Sequence, residues 1–276
     1  MRNLTEENLT EAVVQRLAKC ENPRFKTVMT SLIRHLHAAI REVELTEAEW
    51  AEGILFLTAT GQKCDKDRQE FILLSDVLGV SMLVDAINHR TSSGATESTV
   101  LGPFYVPGAP DLPHGTDIAH GGPGEPTEVS GRVLTPSGKP IAGAVLDVWQ
   151  TAPNGFYSTQ DPNQDRFNLR GRFKTDATGA FFFRTLKPTS YPVPTDRPVG
   201  TILNAMGRHP MRPAHIHFIV TAPGYERLTT HLFAEGDPYL DSDVVFGVKN
   251  SLVVDFKRKP GGNTLAVAYD FGLTPV

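Results

Sequence analysis

Two histidines separated by a single isoleucine, His215-Ile216-His217, stand in a run that stays apolar through Val220. In a β-strand alternate side chains share a face, so both imidazoles point the same way. Two imidazoles on one face of a rigid strand make half of a metal site. Burying them costs free energy unless each finds a partner, and a metal ion is an efficient partner. The pair alone suits zinc, copper and iron alike, so the remaining ligands decide the chemistry. No Asp or Glu lies between Arg197 and Gly224, and both cysteines, Cys20 and Cys64, fall far from this region. Two tyrosines are better candidates. Tyr157 follows Asn154-Gly155-Phe156, and Tyr191 sits among prolines in Ser190-Tyr191-Pro192-Val193-Pro194. Phenolate is a hard, anionic oxygen donor that suits ferric iron better than zinc, and tyrosine ligates iron in haem catalase. Two phenolates and one hydroxide would leave a ferric site neutral, which a water-poor cavity favours. Each tyrosine taken singly also fits an amphipathic side chain at a sheet margin, so the residues alone leave the ligand set open.

The elements that must hold these side chains fall into two regions of different pattern. Residues 1 to about 95 read as helical. Phe25, Val28, Met29, Leu32, Ile33, Leu36, Ile40 and Val43 recur mostly at steps of three and four, building one apolar stripe. Thr46-Glu47-Ala48-Glu49 is a capping-box signature ahead of Trp50, Ile54 and Leu57. A further helical pattern runs roughly from Asp67 to His89. From Leu101 to Glu128 there are six prolines and six glycines in 28 residues, which predicts loop. Short alternating runs follow: Val129 to Leu134, Ala144 to Trp149, Phe173 to Asp176 and Ala180 to Arg184, the last two flanking a turn at Ala177-Thr178-Gly179. Such spacing predicts an antiparallel β-sandwich.

Composition narrows the function classes. The chain has 276 residues, 40% hydrophobic and 21% charged, with a formal net charge of −4. That balance argues against a nucleic-acid partner, and the apolar runs are too short to span a membrane. The start, Met1-Arg2-Asn3-Leu4, shows no basic-then-apolar signal pattern. With only two widely separated cysteines, a reduced cytoplasmic location is expected.

The motifs together resemble the intradiol ring-cleaving dioxygenases of the catechol 1,2-dioxygenase group. The resemblance rests on Glu97 to Tyr105, Gly131-Arg132-Val133-Leu134, Asp147-Val148-Trp149-Gln150, Asn154-Gly155-Phe156-Tyr157, Tyr191 to Asp196, Arg212-Pro213-Ala214-His215-Ile216-His217-Phe218 and Gly236 to Leu240. The four candidate ligands are spaced by 34, 24 and 2 residues, in the family's order. The resemblance implies an α+β chain: a helical dimerisation domain over 1–100, then a β-sandwich catalytic domain over 101–276. It implies a non-haem Fe(III), one per subunit, held by Tyr157, Tyr191, His215 and His217. It further implies a homodimer through the helical domain, with a phospholipid in an apolar tunnel at the interface as in many members, and an aromatic diol and O2 as substrates.

In the mechanism so implied, the diol binds as a dianion. Hydroxide takes one proton and Tyr191 takes the other as it leaves the metal, while Tyr157 stays. Arg212, three residues before His215, is expected to place a fixed positive charge beside the ring. Position 231 carries His231 where plain catechol enzymes generally have Gln, and with Tyr239 to Lys249 this resembles the hydroxyquinol 1,2-dioxygenase branch. His231 is expected to orient a ligand or Arg212, with direct ligation as a lesser alternative. By the same resemblance Leu73, Asp76, Leu101, Gly102, Pro103 and Phe104 face the ring, Asp76 accepting an extra ring hydroxyl. The expected reaction is cleavage of hydroxyquinol to maleylacetate or 3-hydroxy-cis,cis-muconate; the alternative is a catechol or chlorocatechol enzyme. Two more distant readings are an Fe(II) or zinc enzyme pairing the histidines with a carboxylate, and a non-enzymatic transthyretin-like binding module.

Overall fold

The structure, a computed structural model, describes residues 2–65, 68–90, 94–120 and 122–276. The chain divides into two compact units, Met1–Ala59 and Thr60–Val276. The first unit carries α1 (Leu9–Gln15), a 3-10 turn and α2 (Pro23–Glu42), and most of α3 (Glu47–Gln62). Asn22 caps α2 by accepting the Phe25 N–H at 2.9 Å, with Pro23 at the first helical position. The capping box before α3 forms as expected: the Thr46 N–H donates to Glu49 Oε2 at 2.9 Å and the Glu49 N–H to Thr46 Oγ1 at 3.3 Å. Arg34 clasps Glu11 with Nε and Nη2, tying α2 to α1. The predicted stripe exists, but Phe25, Val28, Leu32, Leu36 and Ile40 all lie exposed on it.

The second unit opens with α4 (Glu70–Val77) and α5 (Val80–Asn88). One helix expected from Asp67 to His89 is therefore two. The break is at Leu78-Gly79, where Gly79 has φ of 73°, a left-handed backbone that ends a helix and that glycine adopts freely. Asp67 itself lies outside the described residues. The loop region then leads into β1 (Pro126–Leu134), β2 (Val145–Gln150), β3 (Arg170–Lys174), β4 (Ala180–Leu186) and the short β5 (Tyr191–Pro192). After α6 (Pro198–Ala205) come β6 (Met211–Arg212), β7 (His215–Thr221), β8 (Leu228–Ala234), β9 (Val253–Val254), β10 (Lys257–Arg258), β11 (Leu265–Ala268) and β12 (Phe271–Gly272).

One sheet runs β3-β2-β7-β8-β9 and is antiparallel except for its β8–β9 pair. The other is built on β1, which pairs antiparallel with β4 and parallel with β11 and β12, while β10 extends β11. The turn after β3 does not close a hairpin: β3 pairs with β2 and β4 with β1, so the chain crosses there from one sheet to the other. β5 and β6 form a separate two-stranded ladder.

The core lies between the two main sheets. Val129, Val133, Phe181 and Phe183 from one meet Leu146, Val148, Phe173, Ile216, Phe218, Val220 and Leu232 from the other. Each such large apolar side chain contributes about 1.5–3 kcal/mol when fully buried. The period of two then dictates the rest. With Ile216, Phe218 and Val220 committed to the core, His215, His217 and Ile219 must occupy the opposite face of β7. That face carries its own buried cluster of Trp149, Tyr157, Tyr191 and Ile219, flanked by Phe104 and Tyr105.

Candidate metal centre

Register places the side chains of this outer face in rows. Arg170 of β3 is opposite Trp149 of β2, Trp149 opposite His217 of β7, and His217 opposite His231 of β8. Trp149 stacks on the His217 ring with centroids 4.5 Å apart and planes 12° apart. His231 stacks on His215 at 4.7 Å and meets His217 edge-on at 4.1 Å. The ligand atoms of His215, His217 and His231 all lie within 4.8 Å of one another.

The two tyrosines arrive from different elements. Tyr157 comes from the turn after β2 and Tyr191 from β5; both are buried. Their hydroxyls are 3.0 Å apart, and Tyr157 Oη lies 2.7 Å from His217 Nε2, which is 3.0 Å from His215 Nε2. Four donor atoms from the four residues anticipated as ligands thus converge on one small volume.

Their protonation explains why a cation fits. The His215 ring donates from Nδ1 to the Pro213 carbonyl at 2.7 Å, which fixes the tautomer and leaves Nε2 as the acceptor nitrogen. Burial pushes both His215 and His217 well below the ordinary imidazole range, helped at His215 by the Arg212 charge and at His217 by the neighbouring histidines. Among the described residues, Nδ1 of His217 and both nitrogens of His231 are buried without a side-chain hydrogen-bond partner. Burial pushes His231 well below the ordinary imidazole range too, with the His215 ring and the Arg212 charge adding to the shift and the Val100 backbone opposing it. Burial drives Tyr157 well above the usual phenol range, with the adjacent Tyr191 adding to the shift, and burial likewise raises Tyr191. Converging lone pairs and crowded hydroxyls in a dry pocket are what a bound metal ion would relieve. Among the described residues no carboxylate or thiol joins the histidine cluster, so a two-histidine, one-carboxylate site has no carboxylate here.

Arg212 is buried and stands directly opposite Tyr191 in the β5–β6 ladder. Its Nη1 lies 3.2 Å from His215 Nε2. Nε and Nη2 donate to the two oxygens of Asp243 at 3.1 and 3.3 Å, a bidentate pair. Burial disfavours the guanidinium charge, but Asp243 and the tyrosines together outweigh it and hold the pKa above its usual value. Asp243 also accepts backbone N–H bonds from Gly247 at 2.9 Å and Val245 at 3.3 Å. No hydrogen bond joins His231 to Arg212; Asp243 orients that side chain. Sequence reasoning passed over Asp243, although it lies inside the Tyr239 to Lys249 segment that carried part of the resemblance.

Of the anticipated ring-facing residues, Gly102 and Phe104 come against the candidate ligands. Gly102 has φ of 75°, and a Cβ on it would rest against His217 Cε1 at 3.5 Å. Phe104 stacks on Tyr157 at 4.6 Å. Leu73 and Asp76 are buried on α4, whereas Leu101 is 38% exposed. Leu73, Pro103 and Phe104 line one cavity of about 170 Å³ together with Arg68 and Gln160. Burial raises the Asp76 carboxyl above the ordinary range, against the pull of Ser81 and of the Arg212 charge.

The family profile described as "Catechol dioxygenase N terminus" matches residues 22–96, and that described as "Dioxygenase" matches residues 100–275. The chain is 54% identical to the 6-chlorohydroxyquinol 1,2-dioxygenase of Cupriavidus pinatubonensis over 275 residues, covering 100% of this chain and 99% of that one. It is 55% identical over 254 residues to the hydroxyquinol 1,2-dioxygenase of a Rhizobium species, covering 92% and 86%. Among solved structures, hydroxyquinol 1,2-dioxygenase from Pseudomonas putida superposes with a TM-score of 0.92 at 55% identity, over 98% of this chain and 99% of that one. Catechol 1,2-dioxygenase from Pseudomonas arvilla superposes at 0.84 and 30% identity, over 96% and 91%. With both profiles spanning nearly its whole length, the chain belongs to the intradiol ring-cleavage dioxygenases, enzymes that open an aromatic diol with O2.

Proposed function

We propose that this enzyme opens hydroxyquinol-type rings between adjacent hydroxylated carbons, using one ferric ion per subunit held by Tyr157, Tyr191, His215 and His217. The observation that carries the metal assignment is the run of contacts of 2.7 to 3.0 Å that links two buried phenols and two buried imidazoles, Tyr191 to Tyr157 to His217 to His215. A ferric ion there would bind both diol oxygens and draw electron density from the ring, opening it to O2. Tyr191 Oη would take a diol proton, with the fixed Arg212 charge standing opposite it. Tyr157 would stay as a ligand. Arg212, locked by Asp243, presents a fixed positive charge that needs no reorganisation as negative charge shifts during oxygen attack. Trp149 and Phe104 close the site against water by stacking on His217 and Tyr157.

Asp76 supports the choice of a trihydroxylated ring. A buried carboxyl with a raised pKa gains by meeting a third ring hydroxyl, and a ring lacking that hydroxyl leaves it unpaired. Asp76→Ala is expected to lower kcat/KM for hydroxyquinol relative to catechol by about tenfold, equivalent to about 1.4 kcal/mol. An unchanged ratio would exclude Asp76 as the selector and leave the catechol or chlorocatechol reading in its place.

The helical region, residues 1–100, we read as a dimerisation domain preceding a catalytic domain of residues 101–276. The apolar stripe left exposed on α2 supports a homodimer, and a phospholipid chain against that stripe belongs to the same reading. No helix among the described residues is long and apolar enough to cross a membrane. Both cysteines are free, which supports a cytoplasmic enzyme.

Colour tests the metal assignment. Purified protein loaded with iron should be red-brown from phenolate-to-Fe(III) charge transfer, and anaerobic addition of catechol should shift the band. A colourless protein that binds one iron per chain would overturn the tyrosinate ligands.

A further inference from the structure

Among the described residues Arg170 is a buried cation without a counter-ion. Only 2% of its surface is exposed, and its Nη1 and Nη2 have no hydrogen-bond partner. Nε alone is satisfied, donating to Ser158 Oγ at 2.9 Å, and Ser158 in turn donates to the Arg166 carbonyl at 2.8 Å. The guanidinium carbon lies 5.9 Å from the centre of the Tyr157 ring. Asp147, two residues along β2 from the Trp149 that faces Arg170, attracts the charge from a distance but is engaged by the Tyr105 hydroxyl at 2.9 Å. An unpaired buried charge costs several kcal/mol, so a fold that retains one has a negative group arriving to meet it.

Arg212 gives the contrast. It also faces a tyrosine, but Asp243 neutralises it through two hydrogen bonds. The Arg212 charge acts on both phenols and Arg170 adds to it at Tyr157; of the two guanidiniums only Arg170 is uncompensated. We propose that Arg170 is a positioning residue whose unpaired charge stabilises Tyr157 as a metal-bound phenolate and so keeps Tyr157, rather than Tyr191, on the metal throughout turnover. The inference rests on the reading that Tyr157 binds ferric iron. It explains in one stroke why two chemically identical ligands behave differently. The attraction acts through the ring face, which carries more negative charge in a phenolate than in a phenol. Burial lowers Arg170 to a pKa of about 10, so it remains a cation at neutral pH.

The test uses iron-loaded full-length protein, with the visible charge-transfer band and iron affinity as readouts. Removing positive charge beside a phenolate raises the energy of its donor electrons. R170Q should therefore move the band to longer wavelength and weaken iron binding about 10- to 100-fold, the usual cost of removing a group that supports a ligand. R170K, which keeps the charge, should return the band most of the way. A band that stays in place in R170Q, or one displaced as far in R170K, overturns the proposal, since packing and not charge would then be at work. If R170Q does not fold, S158A loosens the guanidinium while keeping it, and should shift the band in the same direction by less; no shift again overturns it. Absence of any charge-transfer band in the unmutated protein would instead remove the underlying assignment of Tyr157.

Discussion

His217→Ala is expected to lose the visible absorption and the bound iron, and to lower kcat by at least about 10³-fold, roughly 4 kcal/mol of barrier. His217 is the hub of the site. Its Nε2 is 2.7 Å from Tyr157 Oη and 3.0 Å from His215 Nε2, its ring is stacked on Trp149, and a Cβ at Gly102 would touch its Cε1. Alanine removes one of two imidazole donors and leaves three others that do not complete a coordination shell. It also opens a void beside Trp149, and large-to-small changes of this kind cost about 2–5 kcal/mol of stability. The two effects separate by measurement. Iron per chain by elemental analysis reports the ligand, and Tm of the metal-free protein reports the packing. Full iron content in His217→Ala would sink the assignment, whatever the activity.

Arg212→Ala should lower kcat by about 10²–10³-fold, in the range seen when a preorganised electrostatic donor is removed. The single variant confounds two losses, because it strands Asp243 as a buried, uncompensated carboxylate, at about 3–5 kcal/mol. Removing both partners resolves this. The Arg212→Ala, Asp243→Ala double variant should regain most of the Tm lost by the single one and none of the activity. A fall in turnover smaller than about tenfold, or about 1.4 kcal/mol, would show that the charge beside the ring is not used. Recovery of activity in the double variant would show that Arg212 serves only the fold.

The clustering of the candidate ligands was legible because the signal of the histidine pair is local and periodic. His215 and His217 are two apart on a strand, so the alternation that puts Ile216 and Phe218 in the core places both imidazoles together outside it. The loop around Gly102 and Phe104 entered through motif resemblance, and it does pack on His217 and Tyr157. Features set by long-range pairing were not legible. Arg170-Gly171-Arg172 reads as an exposed charged strand, and Arg170 is buried only because β2 sets Trp149 opposite it. Asp243, in Asp241-Ser242-Asp243, resembles a solvated acidic turn until Arg212 arrives from 31 residues away. The parallel pairing of β11 and β12 on β1 joins segments more than 130 residues apart and leaves no mark in either. At Gly79 the apolar period of Leu74 and Leu78 masks a left-handed residue that splits the helix.

The alternation along β7 has a bearing on quality control. A slip of one residue in its pairing with β2 or β8 would turn the imidazoles into the oily interior and Phe218 out to the ring-binding side. The only alignment that seals the interior is also the one that presents the donors. If the proposed ferric site forms, a mispaired chain would be an uncoloured chain, and the ratio of visible to ultraviolet absorbance in a preparation would count the molecules whose strands found their proper partners.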